Sequence, residues 1–441
     1  MLRILLFIIL YFSCLLPIWE LGLINSADLS MLNSVIALIC CIAFFLYPSK
    51  PYSLYKIFHV FILFFFCIAP SIQYKNNIHF FGTYFSEDSY LQASFLVLLI
   101  LLVYNIVYIT TFAKAKIKER HLTHVELLRE EKPIGRWRGL CMLGVSLFTF
   151  LLVFYTNGFN FASMLFRGGD FSEERIELER SAGLIVGNFL KPMSMVILLA
   201  AYIAGVRQKA FFAILLILFL LTCPVTGMAR FSVAAMYIPV CLNMIPLFRR
   251  KDVFVLILCF SLLVVFPFLD NFRYYSAGQE LEFGLNFDQF TELHFDSYSM
   301  FMRVLSENII TWGHQLLGVL FFWVPRSLWP TKPIGSGAFL AHEKGWYFTN
   351  VSMPFFGEGY INFGLLGVFV FAVLLSVVSA VEDKRYWSVL VKREHDLRKI
   401  RYFILLAMLM FILRGDLLSS IAFTCGYIAS YYIIKRLVLR R

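Results

Sequence analysis

The residues best placed to do chemistry lie between Gly313 and Gly367, where Arg326, Lys332, His342, Lys344 and Glu358 sit among aromatics, prolines and glycines. Four arginines stand where an apolar run meets a polar one: Arg230 in TGMARFS, Arg273 in LDNFRYY, Arg326 in WVPRSLWP and Arg414 in ILRGD. A charge at membrane depth is expensive and by default a functional candidate. One such arginine is more often an anchor whose head snorkels to the surface. Four of them, with Lys332 near, could form an anion site, because a planar guanidinium grips phosphate with two parallel N–H groups. The run before Arg414, Ile400–Leu413, has 14 residues, or about 21 Å of helix, against a hydrocarbon core of about 30 Å. Arg414 and Asp416 are therefore expected below the surface. There Asp416 could either neutralise Arg414 or turn it toward a phosphate.

Glu358 follows MPFFG at the start of an apolar run. A carboxyl beside Phe355, Phe356 and Tyr360 loses hydration, which makes it a candidate acceptor for a hydroxyl proton at neutral pH; the alternative is a buried partner for one of the arginines. His342 and His314 are the other base candidates. Trp323, Trp329, Trp346 and Tyr347 could stack on sugar rings or belong to an interfacial aromatic belt. The chain has no Walker A sequence, dinucleotide fingerprint, HExxH or GxSxG, so no nucleotide-driven pump is indicated. No metal site is expected, since Glu87-Asp88 stands alone and none of the nine cysteines has CxxC spacing.

These residues must be positioned by membrane helices. Hydrophobic residues make up 60% of the chain and charged ones 15%, with mean hydropathy +0.76; soluble domains carry roughly 25% charged residues. A span needs about 20 apolar residues. That rule gives twelve spans, at about 2–23, 31–47, 54–72, 90–112, 139–156, 186–205, 210–229, 231–248, 253–269, 355–380, 400–413 and 417–434. The first is read as retained, since no A-x-A cleavage site follows it. The expected fold is thus one all-α polytopic membrane domain over 1–441.

Lys and Arg fix the orientation. With both termini in the cytoplasm, 27 of the 39 basic residues fall inside and 12 outside, with no conflicting loop. The net charge of +11 then reflects this bias and does not point to nucleic acid. Segment 113–138 is expected to form a surface helix on the inner leaflet. In 157–185, Arg167, Arg175 and Arg180 could touch a ligand or line a solvated face. Segment 270–354 is too long for a connector and forms a large outer loop carrying most of the candidate site. Its LLGVLFFWVP is too short to span and should lie in the interface or dip in from outside.

Four stretches resemble the Wzy-type polymerases of O-antigen and related oligosaccharide repeat units: WVPRSLWPTKP at 323–333, FFGEGYINFGLLG at 355–367, GMARFS at 227–232 and LRGD at 413–416. Arg326 also opens an Arg-x10-Gly pattern ending at Gly337, similar to one in that family's large outer loop; 157–185 departs from it, because Arg175 is one residue too far from Gly187. The resemblance implies a GT-C-like glycosyltransferase of the bacterial inner membrane that needs no metal or cofactor. Its substrates would be oligosaccharides on undecaprenyl pyrophosphate, and the growing chain would pass to the non-reducing end of an incoming unit. Glu358 or His342 would act as base, and Arg230, Arg273, Arg326 and Arg414 would bind pyrophosphate and sugar. The bilayer, a chain-length regulator and a flippase are the implied partners. The rival readings are an O-antigen ligase, a lipid-linked oligosaccharide flippase or other transporter, and a structural partner of a synthesis complex. No internal repeat of the kind many transporters carry is visible.

Overall fold

The computed structural model describes residues 26–45, 50–117 without 83, 135–166, 176, 180–265 without 207, 268, and 290–439 without 394, plus scattered residues between 8 and 19. Every regular element among them is helical. In order these are α1 (Ala27–Phe45), α2 (Leu54–Lys75), α3 (Glu87–Lys114), α4 (Arg136–Thr156), α5 (Ala182–Ile203), α6 (Lys209–Thr222), α7 (Arg230–Met244) and α8 (Val253–Phe260). Three short helices follow, α9 (Ser297–Ser306), α10 (His314–Leu320) and α11 (Ser336–Glu343). The chain closes with α12 (Phe355–Leu390), α13 (Arg398–Arg414) and α14 (Leu417–Leu439). The eight described cysteines are free.

Seven helices, α1 to α5, α12 and α14, are long and apolar enough to cross a membrane. Four more expected spans are helical but shorter. α6 has 14 residues, α7 has 15, α8 has 8 before a π-turn at Ser261–Val265, and α13 has 17. Prolines set two of these ends. α6 stops at Cys223 before Pro224 and α7 at Ile245 before Pro246, because the residue preceding a proline is driven out of helical backbone. Most of expected span 2–23, most of surface helix 113–138, and residues 270–289 of the outer loop lie outside the described residues.

Two hydrophobic cores run side by side. One joins α1, α2, α3, α9 and α12; the other joins α4, α5, α6, α7 and α14. α13 lies between them. Its Tyr402, Phe403, Leu406, Leu409 and Leu413 enter the first core, while Ile400, Ile404 and Met408, spaced by four, enter the second. A helix apolar all round belongs in an interior, which is how a 17-residue helix of about 26 Å sits in this bundle without meeting lipid along its length.

Polar contacts between helix ends fall into two groups. At one end Gln73 Nε2 donates to Phe290 O (2.8 Å) and Phe295 O (3.0 Å), Phe81 stacks on Trp346 at 4.3 Å, and Lys344 pairs with Glu307 at 2.7 Å. At the other, Lys384 Nζ donates to Phe112 O (2.6 Å) and Arg138 to Val438 O (2.9 Å). There Asp383, fully buried, accepts from Leu54 N, Tyr55 N, Tyr108 Oη and Tyr402 Oη. These residues belong, in the first group, to segments that the charge bias puts outside, and in the second to inner segments or inner span ends.

Candidate functional site

The expected span at 355–380 is not one regular helix. α12 breaks at Phe363 (φ −144°, ψ 20°) and Gly364 (φ 62°, ψ −150°), the latter in a region essentially only glycine occupies. In FGEGYINFGLLG the chain also closes on itself: a Cβ on Gly367 would lie 1.9 Å from Gly359 O. A break in an apolar environment requires new partners for the freed backbone groups, and the outer loop supplies them. Ile361 O accepts from Thr311 N (2.7 Å) and Oγ1 (2.9 Å), and Asn362 O accepts from Gly313 N (2.9 Å). Asn362 Oδ1 accepts from Leu316 N at 2.8 Å, in the first turn of α10. The stretch 316–325 is therefore docked by its start onto the break, and α10 packs against α12 and α14.

Glu358 lies on the short half-helix ahead of this break and is fully buried. Its Oε2 accepts from Ser336 Oγ at 2.7 Å and its Oε1 from Leu417 N at 2.9 Å. Asp416 accepts from Ser419 N at 3.0 Å and from the backbone of Gly337 and Leu418. Both carboxylates thus meet donors at the first turns of α11 and α14, where unpaired N–H groups and the helix dipole favour negative charge. The glycines of PIGSG permit the approach. A Cβ on Gly335 would fall 1.9 Å from Asp416 Oδ2, and one on Gly337 would fall 2.1 Å from Val351 O. Burial pushes the Asp416 carboxyl above its ordinary value, against the pull of the N–H groups it accepts.

Arg414 does not pair with Asp416. Its Nε donates to His294 O (2.9 Å) and its Nη2 to Leu293 O (3.1 Å), with Asp296 Oδ1 at 3.5 Å. Asp296 is buried, and burial raises its carboxyl while Arg414 opposes that shift. It accepts from Ser352 Oγ (2.5 Å) and Ser352 N (3.1 Å). The start of α12 is therefore held twice, at Ser352 by Asp296 and at Glu358 by Ser336 and Leu417. The Arg414 side chain is 31% exposed, and its Nη1 makes no hydrogen bond among the described residues.

Arg326 closes its own loop, donating from Nη1 to Lys332 O (2.6 Å) and from Nη2 to Pro333 O (3.1 Å). Lys332 Nζ donates to Phe322 O (2.6 Å) and Val324 O (3.0 Å). Pro333 packs on Gly318, where a Cβ would come within 2.9 Å of it; Gly335 and Ser336 follow directly. Arg326 thus shapes the segment that delivers Ser336 to Glu358. Arg230 opens α7, whose Phe231 stacks on Phe411 at 4.1 Å, putting the start of α7 beside the end of α13. Arg273, Arg167 and Arg175 lie outside the described residues. Arg180 begins a helical segment near α5.

His314 and His342 are exposed. His342 stands six residues along α11 from Ser336 and makes no contact with the carboxylates among the hydrogen bonds described. Trp346 is sandwiched between Phe81 and Arg303, whose guanidinium lies 4.8 Å above the ring; Trp323 and Tyr347 are exposed.

Sequence reading missed Ser336, Ser352, Asp296 and Asn362. The glycines flanking Ser336 and the spacing of Gly359, Gly364 and Gly367 were the available signals; nothing local marked Asp296, whose partners are 56 and 118 residues away. No set of three His, Cys, Asp or Glu side chains gathers as a metal site among the described residues. A carboxylate that takes an O–H at 2.7 Å has the geometry for accepting a proton from a hydroxyl, and a half-exposed guanidinium nearby can meet an anion. Compared with family models, with characterised proteins and with solved structures, the chain shows no match.

Proposed function

We propose that this chain is a polymerase of undecaprenyl-pyrophosphate-linked oligosaccharide repeat units, acting at the outer face of a bacterial inner membrane. The observation that carries the reading is the convergence of stretches far apart in sequence. Residues 323–333 order the segment that brings Ser336 to Glu358 of 355–367. Residues 413–416 provide Arg414 and Asp416 on either side of the same helix start. Residues 227–232 pack on the end of α13 through Phe231. All four stretches are the ones that resemble the polymerase family.

In this reading Glu358 takes the proton of an acceptor sugar hydroxyl, in place of Ser336 Oγ. The sugar oxygen attacks the anomeric carbon of the growing chain, and the bond to the pyrophosphate breaks. Arg414 holds the negative charge that develops on the leaving group. Arg326 serves as a positioning residue for Ser336. Twelve crossings, a GT-C-like arrangement and cytoplasmic termini belong to the same proposal. They are supported by the helices found within the shorter expected spans and by the sorting of polar contacts to two ends.

The break in α12 favours one rival, a flippase of lipid-linked oligosaccharide, since discontinuous helices often bind transported substrates. A gene deletion separates the readings by gel analysis of the surface polysaccharide. Loss of the repeat ladder with single units still displayed is the expected result. Loss of all units, with unpolymerised carrier-linked material retained inside, favours transport, and loss of attachment with polymer still made favours ligation. Complementation by Arg414→Ala at normal protein level should leave the ladder absent; a normal ladder would remove Arg414 from the site.

A further inference from the structure

The segment between α9 and α10 is tied along the half-helix that carries Glu358. Tyr360 Oη donates to Asn308 Oδ1 at 2.9 Å, Thr311 N donates to Ile361 O at 2.7 Å, and Gly313 N donates to Asn362 O at 2.9 Å. Asn362 Nδ2 in turn donates to Glu358 O at 2.9 Å. His314 N donates to Thr311 O at 3.1 Å. That bond closes a turn whose two central residues, Trp312 (φ 51°) and Gly313 (φ 86°), both have positive φ. Glycine, asparagine and aspartate dominate both central positions of such a turn. A bulky residue there is an outlier, and the backbone strain has to be offset elsewhere. Burial does not offset it, because Trp312 is 80% exposed. Asn308 also has φ 51°, but it follows the end of α9, where asparagine is an ordinary left-handed cap.

Neither turn chemistry nor packing asks for tryptophan at 312, yet the backbone on both sides of it is pinned. An indole held in this way offers a flat apolar surface to a ligand. A pyranose ring has one face of C–H groups and a rim of hydroxyls, so it needs such a surface together with a fixed polar group. Asn308 supplies the second. Tyr360 occupies its Oδ1, while its amide Nδ2 is a donor that makes no hydrogen bond among the described residues, and the side chain is exposed. His314, on the other side of Trp312, is also exposed, and these polar neighbours favour a sugar over an acyl chain. We propose that Trp312 is a stacking platform for a pyranose ring of the oligosaccharide substrate, with Asn308 Nδ2 donating to an oxygen of the same chain. Both residues flank 360–362, within one helical turn of Glu358, so the ring they hold is close to the reacting unit. The choice of substrate rests on the polymerase reading; the binding measurement below does not depend on turnover.

The test uses the purified full chain in detergent and two probes: the undecaprenyl-pyrophosphate-linked repeat unit isolated from native membranes, and undecaprenyl pyrophosphate without sugar. Affinity for each is measured alongside thermal unfolding. Trp312→Asn puts a residue that the turn prefers at the strained position, so it should unfold at the wild-type temperature or above it. The same variant should bind the sugar-bearing carrier about tenfold more weakly, the loss typical of an aromatic contact residue, and the sugar-free carrier as wild type does. Trp312→Phe keeps an aromatic face and should recover part of the loss. Wild-type affinity of Trp312→Asn for the repeat unit, an equal loss for both probes, or a lower unfolding temperature would overturn the platform. So would a wild-type chain that binds the sugar-bearing carrier no better than the sugar-free one. A wild-type chain that binds the repeat unit in the Trp312-dependent manner but does not extend it would contradict the polymerase reading and leave the platform standing.

Discussion

At one end of α12, α13 and α14, a fully buried carboxylate, Glu358, and a partly buried one, Asp416, meet donors fixed by the fold. Glu358 has a partner on each oxygen, and Asp416 lies across the backbone of α11 and α14. At the other end, Arg385, Arg393, Arg398, Arg401 and Lys435 line a cavity, with Glu382 and Asp396 paired to three of them. The acidic end is satisfied by helix N-termini, so its geometry is set before any ligand arrives. The basic end is held by ion pairs instead, Glu382 with Arg385 and Arg401, and Asp396 with Arg398. Preorganisation of the first kind suits transition-state chemistry, whereas partly exposed ion pairs of the second kind contribute little to stability.

If the acidic end is preorganised by close backbone contact, crowding it should be the most damaging change. Gly335→Ala places a Cβ 1.9 Å from Asp416 Oδ2, and overpacking of this kind costs about 3 kcal/mol. Gly144→Ala, in α4 with nothing within 4 Å, should be neutral or slightly stabilising. Thermal unfolding of both purified variants checks the contrast, and equal behaviour would break the claim that close packing fixes this end.

Next is the break that holds Glu358 apart from the rest of α12. Gly364→Ala forces a side chain into φ 62°, ψ −150°, a strain of about 2 kcal/mol. It should lower the thermal stability of the purified protein. A variant of unchanged stability would mean that the backbone at 364 is not held in this conformation.

The smallest effect is on pH dependence. Asp416 has a carboxyl raised by burial, so the folded state binds its proton more tightly than the unfolded chain does. Its contribution therefore favours folding at low pH and is lost as pH rises from the unfolded value, about 3.9, through the raised one. Asp416→Asn should flatten this part of the stability–pH curve. An unchanged slope would mean that Asp416 is not desolvated.

The sequence made the long apolar helices legible, because composition alone defines a run such as 90–112, which lies within α3. The break in α12 has no signature in the sequence, since glycines at 359, 364 and 367 are equally compatible with close helix packing. The partner of Arg414 was expected next door, at Asp416. It proved to be Asp296, because Asp416 finds nearer donors at Gly337 and Ser419. In the sequence the cations at 385–401 express only the orientation bias. Their common cavity also needs Lys435 from the far end of α14, a closure that no local pattern encodes.

The most direct measurement of the central claim is turnover and donor binding by purified Glu358→Gln with a carrier-linked repeat unit. Glutamine fits the site, with its NH₂ donating to Ser336 Oγ and its carbonyl accepting from Leu417 N, so the fold and donor affinity should be retained. Turnover should fall by about 10²–10⁴-fold, the usual contribution of a general base. Wild-type turnover in a variant that binds donor normally would contradict the account and leave Glu358 as a structural link between α11, α12 and α14.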